Sequence, residues 1–240
     1  MQAETRARLL DVNRVFYQTF ARQFSSTRQR LQPGVQQILK TIDPASRLLD
    51  LGCGNGETAQ ALAVQGFHGR YVGLDLNAVF LEEARARIGE NSHFDFFCRD
   101  LASMNWNDSL PVEAFEAVLA FATLHHLPGT TLRRQVIESL RRVLAPGGHF
   151  IHSEWQFLNS PRLRGRLQPW EAIGLAEADV EPGDYLLDWR EGGAGLRYVH
   201  HFTLDELSLL ADQTGFDVVE SFLSDGESGR LGLYQIWKIV

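Results

Sequence analysis

An apolar strand that runs straight into glycines at alternate positions, and from there into a helix, leaves a chain few ways to fold. Residues 48–57 read Leu-Leu-Asp-Leu-Gly-Cys-Gly-Asn-Gly-Glu, so Gly52, Gly54 and Gly56 make the turn out of a buried strand. Glycine reaches backbone angles closed to other residues, and its missing side chain lets a ligand lie against the main chain. Such a crossover belongs to a parallel sheet covered by helices, with a crevice at the carboxyl ends of its strands. The spacing differs from the dinucleotide fingerprint, because Gly56 follows Gly54 by two residues rather than three. A diphosphate cradle is therefore not expected, and no Lys-Ser or Lys-Thr pair closes a P-loop.

The rest of the pattern agrees. Short β-rich runs at 47–51, 70–75, 93–99, 115–121 and 149–154 alternate with helical spacing at 57–65, 77–88 and 130–144. Thr203 caps a last helix over 204–214, with Gly215 at its stop position. Strands at 216–223 and 231–240 then form an antiparallel hairpin, unlike the crossovers before it. Two stretches fall outside the alternation. Residues 1–43 read as helical, and residues 156–202, with Pro161, Pro169, Pro182 and a glycine run at 192–195, read as a long irregular insertion.

Composition excludes several classes. The 240 residues are 44% hydrophobic, enough for a packed core, and no apolar run approaches the ~18 residues of a membrane helix. Arginines and an aspartate occupy the start, where a signal peptide would place its apolar block, so a cytoplasmic protein without membrane attachment is expected. Cys53 and Cys98 are too few for a disulfide framework, which fits a reducing compartment. The net charge of −7 disfavours long-range attraction to nucleic acid, and DNA is not expected as a partner. The first 30 residues nevertheless hold six arginines against two acidic side chains. A protein partner is compatible with this sequence but not indicated by it.

Asp75 ends the second strand 19 residues beyond Gly56, where a carboxylate can accept from both hydroxyls of a ribose. Asp100 with Leu101 closes the third strand, where a carboxylate and the next backbone N–H can hold a purine edge. With these markers, residues 47–148 resemble the class I S-adenosylmethionine-dependent methyltransferases. The segment Leu124-His125-His126-Leu127-Pro128 after strand four and Leu144-Ala145-Pro146-Gly147-Gly148 before strand five are also similar to that family.

The resemblance implies an α/β, Rossmann-like, seven-stranded mixed sheet with helices on both faces and its last strand antiparallel. It implies one methyltransferase domain over 1–240: a helical cap (1–43), a cofactor-binding core (44–155), a substrate-covering insertion (156–202), and a C-terminal helix and hairpin (203–240). S-adenosylmethionine would be the cofactor and S-adenosylhomocysteine the product. Contacts would come from Asp50, Gly52, Cys53, Gly54, Asn55 and Gly56 in the loop, Asp75 and Leu76 after strand two, Asp100 and Leu101 after strand three, and Ala120 and Phe121 in strand four.

The methyl acceptor is less constrained. The place where amino methyltransferases of DNA bases carry an Asp/Asn-Pro-Pro-Tyr/Phe segment reads Ala120-Phe121-Ala122-Thr123, and neither cysteine sits where a cytosine nucleophile would. Phe24-Ser25-Ser26-Thr27-Arg28, the His125-His126 pair, and Arg197-Tyr198-Val199-His200-His201-Phe202 resemble the eukaryotic tRNA wobble-uridine carboxymethyl methyltransferases. That likeness implies a tRNA carboxylate as acceptor, with Arg28, His125, Arg197 and Tyr198 at the reacting end. Guanidinium forks match a carboxylate in shape and charge, and a carboxylate is already a nucleophile, so His125 would orient rather than deprotonate. A small-molecule acid would suit the same arginines. A hydroxyl or amine acceptor would instead make His125, His126 or His200 a base. A noncatalytic cofactor-binding partner or sensor is the remaining alternative. His149, His152 and Glu154 lack a convincing metal partner set, and no metal is expected.

Overall fold

The computed structural model describes all residues from 1 to 240 except 28, 29 and 113. The chain opens with α1 (Ala3–Ser26) and α2 (Pro33–Leu39), then alternates β1 (Arg47–Leu51), α3 (Glu57–Val64), β2 (Arg70–Asp75), α4 (Ala78–Ile88) and β3 (Phe94–Cys98). The second half of the core is β4 (Phe115–Phe121), α5 (Thr130–Val143) and β5 (Leu144–Trp155). After α6 (Pro161–Arg164) come three further strands, β6 (Leu167–Gln168), β7 (Asp184–Trp189) and β8 (Gly195–His200). The chain ends with α7 (Leu204–Gln213), β9 (Phe216–Ser224) and β10 (Gly232–Ile239).

Seven strands form one sheet in the order β3-β2-β1-β4-β5-β10-β9. All are parallel except β10, which runs antiparallel to both β5 and β9. The order reverses between β1 and β4, so the crevice that such sheets use for ligands opens above these two strands. The central strands β1, β2 and β4 are buried on both faces, as a doubly covered sheet requires, whereas the edge strand β9 is largely exposed. In β1 the neighbours Leu48 and Leu49 alternate between cores: Leu49 packs with Val72, Val118 and Ile137, while Leu48 packs with Leu62, Tyr71 and Leu119.

The insertion is not the irregular excursion its prolines and glycines suggest. It folds into a three-stranded antiparallel sheet in the order β6-β7-β8, with α1 laid across it. Leu9 of α1 meets Leu186 and Tyr198, and Phe16 and Phe20 pack on Trp189. The glycine run reflects this contact: a Cβ on Gly195 would stand 2.5 Å from the Phe20 ring. Helix α1 and the insertion are thus one packed unit over the crevice, held together by aromatic burial, whereas α2 packs into the core of the main sheet through Val35, Ile38 and Leu39. The fifth strand begins earlier than expected, at Leu144.

Candidate active site

The crevice is a cavity of about 650 Å³ between the carboxyl ends of the central strands and the underside of α1. Its floor is the loop from β1 to α3. Gly52 N–H and Cys53 N–H both donate to the Leu74 carbonyl, at 2.8 and 3.0 Å, which ties the loop to the end of β2. Gly52, Gly54 and Gly56 adopt φ of 71°, 55° and 80°, the left-handed region that side chains resist. Their surroundings differ. A Cβ on Gly52 would lie 2.5 Å from Thr123 Oγ1, and one on Gly56 would lie 2.8 Å from Ala84 Cβ, whereas Gly54 faces open space. Gly54 therefore keeps the floor clear. Gly56 does not line the cavity but lets α3 approach α4.

Carboxylates gather at this end. Asp75 Oδ2 accepts the Gly54 N–H at 2.9 Å and Oδ1 accepts the Asn77 N–H at 2.8 Å, leaving lone pairs on both oxygens for a ligand's hydroxyls. Burial raises the Asp75 pKa against the pull of these N–H donors. Asp50 is 2% exposed, accepts from Tyr71 Oη, and is pushed up to about 7, chiefly by burial. Burial beside Asp75 and Asp50 raises the Cys53 thiol well above its usual range, which keeps it protonated. Asp100 caps the turn after β3 by accepting the Ala102 N–H at 2.8 Å. Leu76, Leu101 and Phe121 supply apolar wall, while Ala120 lies buried behind them, outside the lining. Asn55 donates to Ser25 Oγ at 2.8 Å and so ties the end of α1 to the loop. Two carboxylates, open backbone and an apolar slot, with no cation in the loop, fit a nucleoside that carries positive charge and no phosphate. The residues present therefore fit S-adenosylmethionine better than a dinucleotide.

The other end of the cavity is built differently. Arg197 enters from β8, 4% exposed, with its guanidinium carbon 4.6 Å from the Trp155 ring and 5.6 and 5.7 Å from Phe16 and Trp189. His125 and His126 follow β4 in a single helical turn and line the same wall, with Glu154 and Trp155 from the end of β5. Tyr17 Oη lies 2.8 Å from His126 Nε2. The structure does not bring Tyr198 here: its side chain is buried beneath β8, where Oη donates to Asp184 Oδ1 at 2.6 Å and accepts from Arg133 at 3.4 Å. His200 likewise turns inward, to Asp184 and Glu206. Arg28 lies outside the described residues.

Among the described residues, no group of three His, Cys, Asp or Glu is placed to hold a metal. Sequence reading missed Glu154, Trp155, Asn13 and Tyr17 as parts of this wall. Glu154 carried a usable signal, an acidic residue at the carboxyl end of a central strand like Asp75. Asn13 and Tyr17 carried none, since only the docking of α1 brings them near.

Comparison with known proteins agrees with this geometry. A model of a methyltransferase domain matches residues 21–221. The tRNA (carboxymethyluridine(34)-5-O)-methyltransferase of Schizosaccharomyces pombe is 26% identical over 222 residues, covering 85% of this chain and 88% of that protein. The Arabidopsis thaliana protein of the same name is 30% identical over 148 residues, covering 60% of this chain, and the chain spans only 32% of that relative's length. Among solved structures, a SAM-dependent methyltransferase from Methanosarcina mazei superposes with a TM-score of 0.66 at 23% identity, covering 88% of this chain and 98% of the other, and shares the fold. With well over half its residues matched, the chain belongs to the methyltransferase-domain family.

Proposed function

We propose that this protein is an S-adenosylmethionine-dependent methyltransferase whose acceptor is a carboxylate, and that the carboxylate belongs to a carboxymethylated wobble uridine of tRNA. The observation that carries the acceptor class is the split of the cavity: carboxylates at the glycine-loop end, and Arg197 caged by Phe16, Trp155 and Trp189 at the other. S-adenosylmethionine supplies, when bound, a methyl group on a positively charged sulfur. Asp75 would accept from its ribose hydroxyls and Asp50 would face its positive charge. Asp100 and Leu101 would receive the base.

Arg197 would hold the acceptor carboxylate through its forked donors, and its aromatic cage fixes that fork in one plane. A carboxylate oxygen forms the new bond with its own lone pair, so no residue has to remove a proton. What the protein would contribute is alignment and exclusion of water, with α1 covering the cavity and Leu163 of α6 and Arg197 of β8 reaching into it from the insertion. The identity of tRNA as acceptor is supported by the names of the Schizosaccharomyces pombe and Arabidopsis thaliana relatives and by the arginine-rich start of the chain. A second reading, a small carboxylic acid, draws on the net charge of −7 and the presence of only two lysines. Labelled methyl transfer, run in parallel on tRNA bearing carboxymethyluridine and on a panel of small carboxylic acids, separates the two. Base-labile label on tRNA alone is the expected result; label only on small acids selects the second reading, and label on neither, with S-adenosylhomocysteine bound, removes the carboxylate.

A further inference from the structure

We infer that Asp225 is a specificity-determining residue whose carboxylate accepts the ring N3–H of the acceptor uracil, so that the site takes uridine and turns cytidine away. The inference rests on the tRNA carboxylate reading proposed above. Asp225 follows directly on β9, is 8% exposed, and lines the cavity. Its φ is 72°, a left-handed value that asparagine and aspartate adopt more readily than other residues with a side chain. Two neutral donors hold it there. The Gly34 N–H of α2 reaches Oδ1 at 3.0 Å, and Tyr234 Oη donates to Oδ2 at 2.6 Å. Glycines clear the ground for this pair: a Cβ on Gly232 would stand 2.4 Å from Asp225 Oδ2, and one on Gly34 would stand 2.3 Å from the Tyr234 ring. The phenol is fixed in turn by stacking on Phe222, with ring centroids 5.0 Å apart.

The pairing of β10 with β5 decides which end of the cavity this carboxylate serves. Gly232 lies opposite Trp155, and the Arg197 guanidinium sits over that indole at 4.6 Å. Asp225 therefore belongs to the acceptor end, one strand over from the aromatic cage of Arg197. Each of its oxygens keeps a second lone pair after the contact with Gly34 or Tyr234. A uracil that carries a carboxymethyl group has one ring donor, N3–H, on the edge that unpaired bases present to proteins. Cytosine has the same size and a lone pair at N3, which a carboxylate repels. With its carboxylate on Arg197, uridine can satisfy Asp225 and cytidine cannot.

Initial rates of methyl transfer to two synthetic anticodon hairpins, one carrying 5-carboxymethyluridine and the other 5-carboxymethylcytidine, test this in the wild type and in Asp225→Asn. Asparagine tolerates the left-handed φ and keeps an oxygen for Gly34, so the melting temperature should stay close to that of the wild type. The wild type is expected to favour the uridine hairpin roughly 10- to 100-fold in kcat/KM, and Asp225→Asn, whose amide can donate to cytosine N3, to favour it less than about threefold. A role confined to tying the turn to α2 would slow both hairpins alike and leave the ratio unchanged, and that result overturns the inference. So does a wild type that methylates both hairpins equally, a measurement that needs no variant and leaves the carboxylate reading standing. Transfer to neither hairpin by a protein that binds S-adenosylhomocysteine removes that reading and this inference with it.

Discussion

The two aspartates at the glycine-loop end do different physical work. Asp75 already accepts two backbone N–H groups, so removing it costs the loop its tie to β2 as well as any ligand contact. Asp75→Ala should weaken S-adenosylhomocysteine binding roughly 10- to 100-fold by calorimetry, the loss of a charge-assisted contact. Unchanged affinity would remove Asp75 from the site. Asp50 is expected to reveal itself through pH. Its carboxyl titrates at about 7 in the fold against 3.8 ordinarily. Below the lower value both folded and unfolded chains are protonated, between the two only the unfolded chain gives up its proton, and above about 7 the difference is constant. Stability should therefore fall as pH rises through that window, by a total on the order of 4 kcal/mol. The melting temperature of the ligand-free protein should drop between pH 5 and pH 7.5, and Asp50→Asn should flatten most of that drop. Parallel wild-type and mutant curves would show that Asp50 is not the group responsible.

At the scale of elements, the roof is fastened by a few polar links between α1 and distant chain. Asn13 Oδ1 accepts the Tyr198 N–H at 2.8 Å and its Nδ2 donates to the His126 carbonyl at 3.3 Å, so one buried side chain joins α1 to β8 and to the turn after β4. Asn77 adds a third link, from Nδ2 to the Tyr17 carbonyl at 2.7 Å. Asn13→Ala leaves two buried backbone groups unpartnered, and about 1–3 kcal/mol of destabilisation is expected, with faster hydrogen exchange concentrated in α1 and β8. Exchange that rises evenly over the whole chain would mean the roof is not a separable unit. Gly56→Ala tests the floor: a left-handed φ and a Cβ 2.8 Å from Ala84 together predict a loss of about 2–4 kcal/mol in chemical denaturation. The same elements show what the sequence discloses. The β1-to-α3 loop, Asp75 and the capping Thr203 were legible because their reasons are local, a φ, a strand end, a side chain reaching its own helix. The β6-β7-β8 sheet was not, because β6 is two residues long, prolines and glycines crowd the loops between its strands, and the helix that buries its apolar side chains, α1, is more than 150 residues away in sequence. The His125–Glu154 pair escaped for a related reason: 29 residues separate them, and the β4–β5 pairing that closes the distance is a property of the sheet.

For the molecule as a whole, charge is distributed against its own average. The chain carries −7, yet the cavity is bordered by Arg14 and Arg30 from the N-terminal region and by Arg162 from the insertion, all exposed. An acidic body with a basic rim would hold a polyanion over a small footprint only, and counterion release makes that footprint measurable. If tRNA is the acceptor and these three arginines meet phosphates, log affinity should fall against log salt with a slope of roughly −3, set by the number of contacts. Arg162→Ala should weaken binding while making the slope shallower by about 1, and it should leave the affinity for S-adenosylhomocysteine as it was, because that exposed side chain stands on the insertion, away from the glycine loop. A carboxylic acid of low molecular weight meets one guanidinium and no phosphate, so its apparent KM would respond only weakly to the same salt series. Fluorescence anisotropy with labelled tRNA from 50 to 200 mM salt measures the slope, and a flat line would mean that the rim does not grip a nucleic acid backbone and that the acidic body governs which acceptors come near.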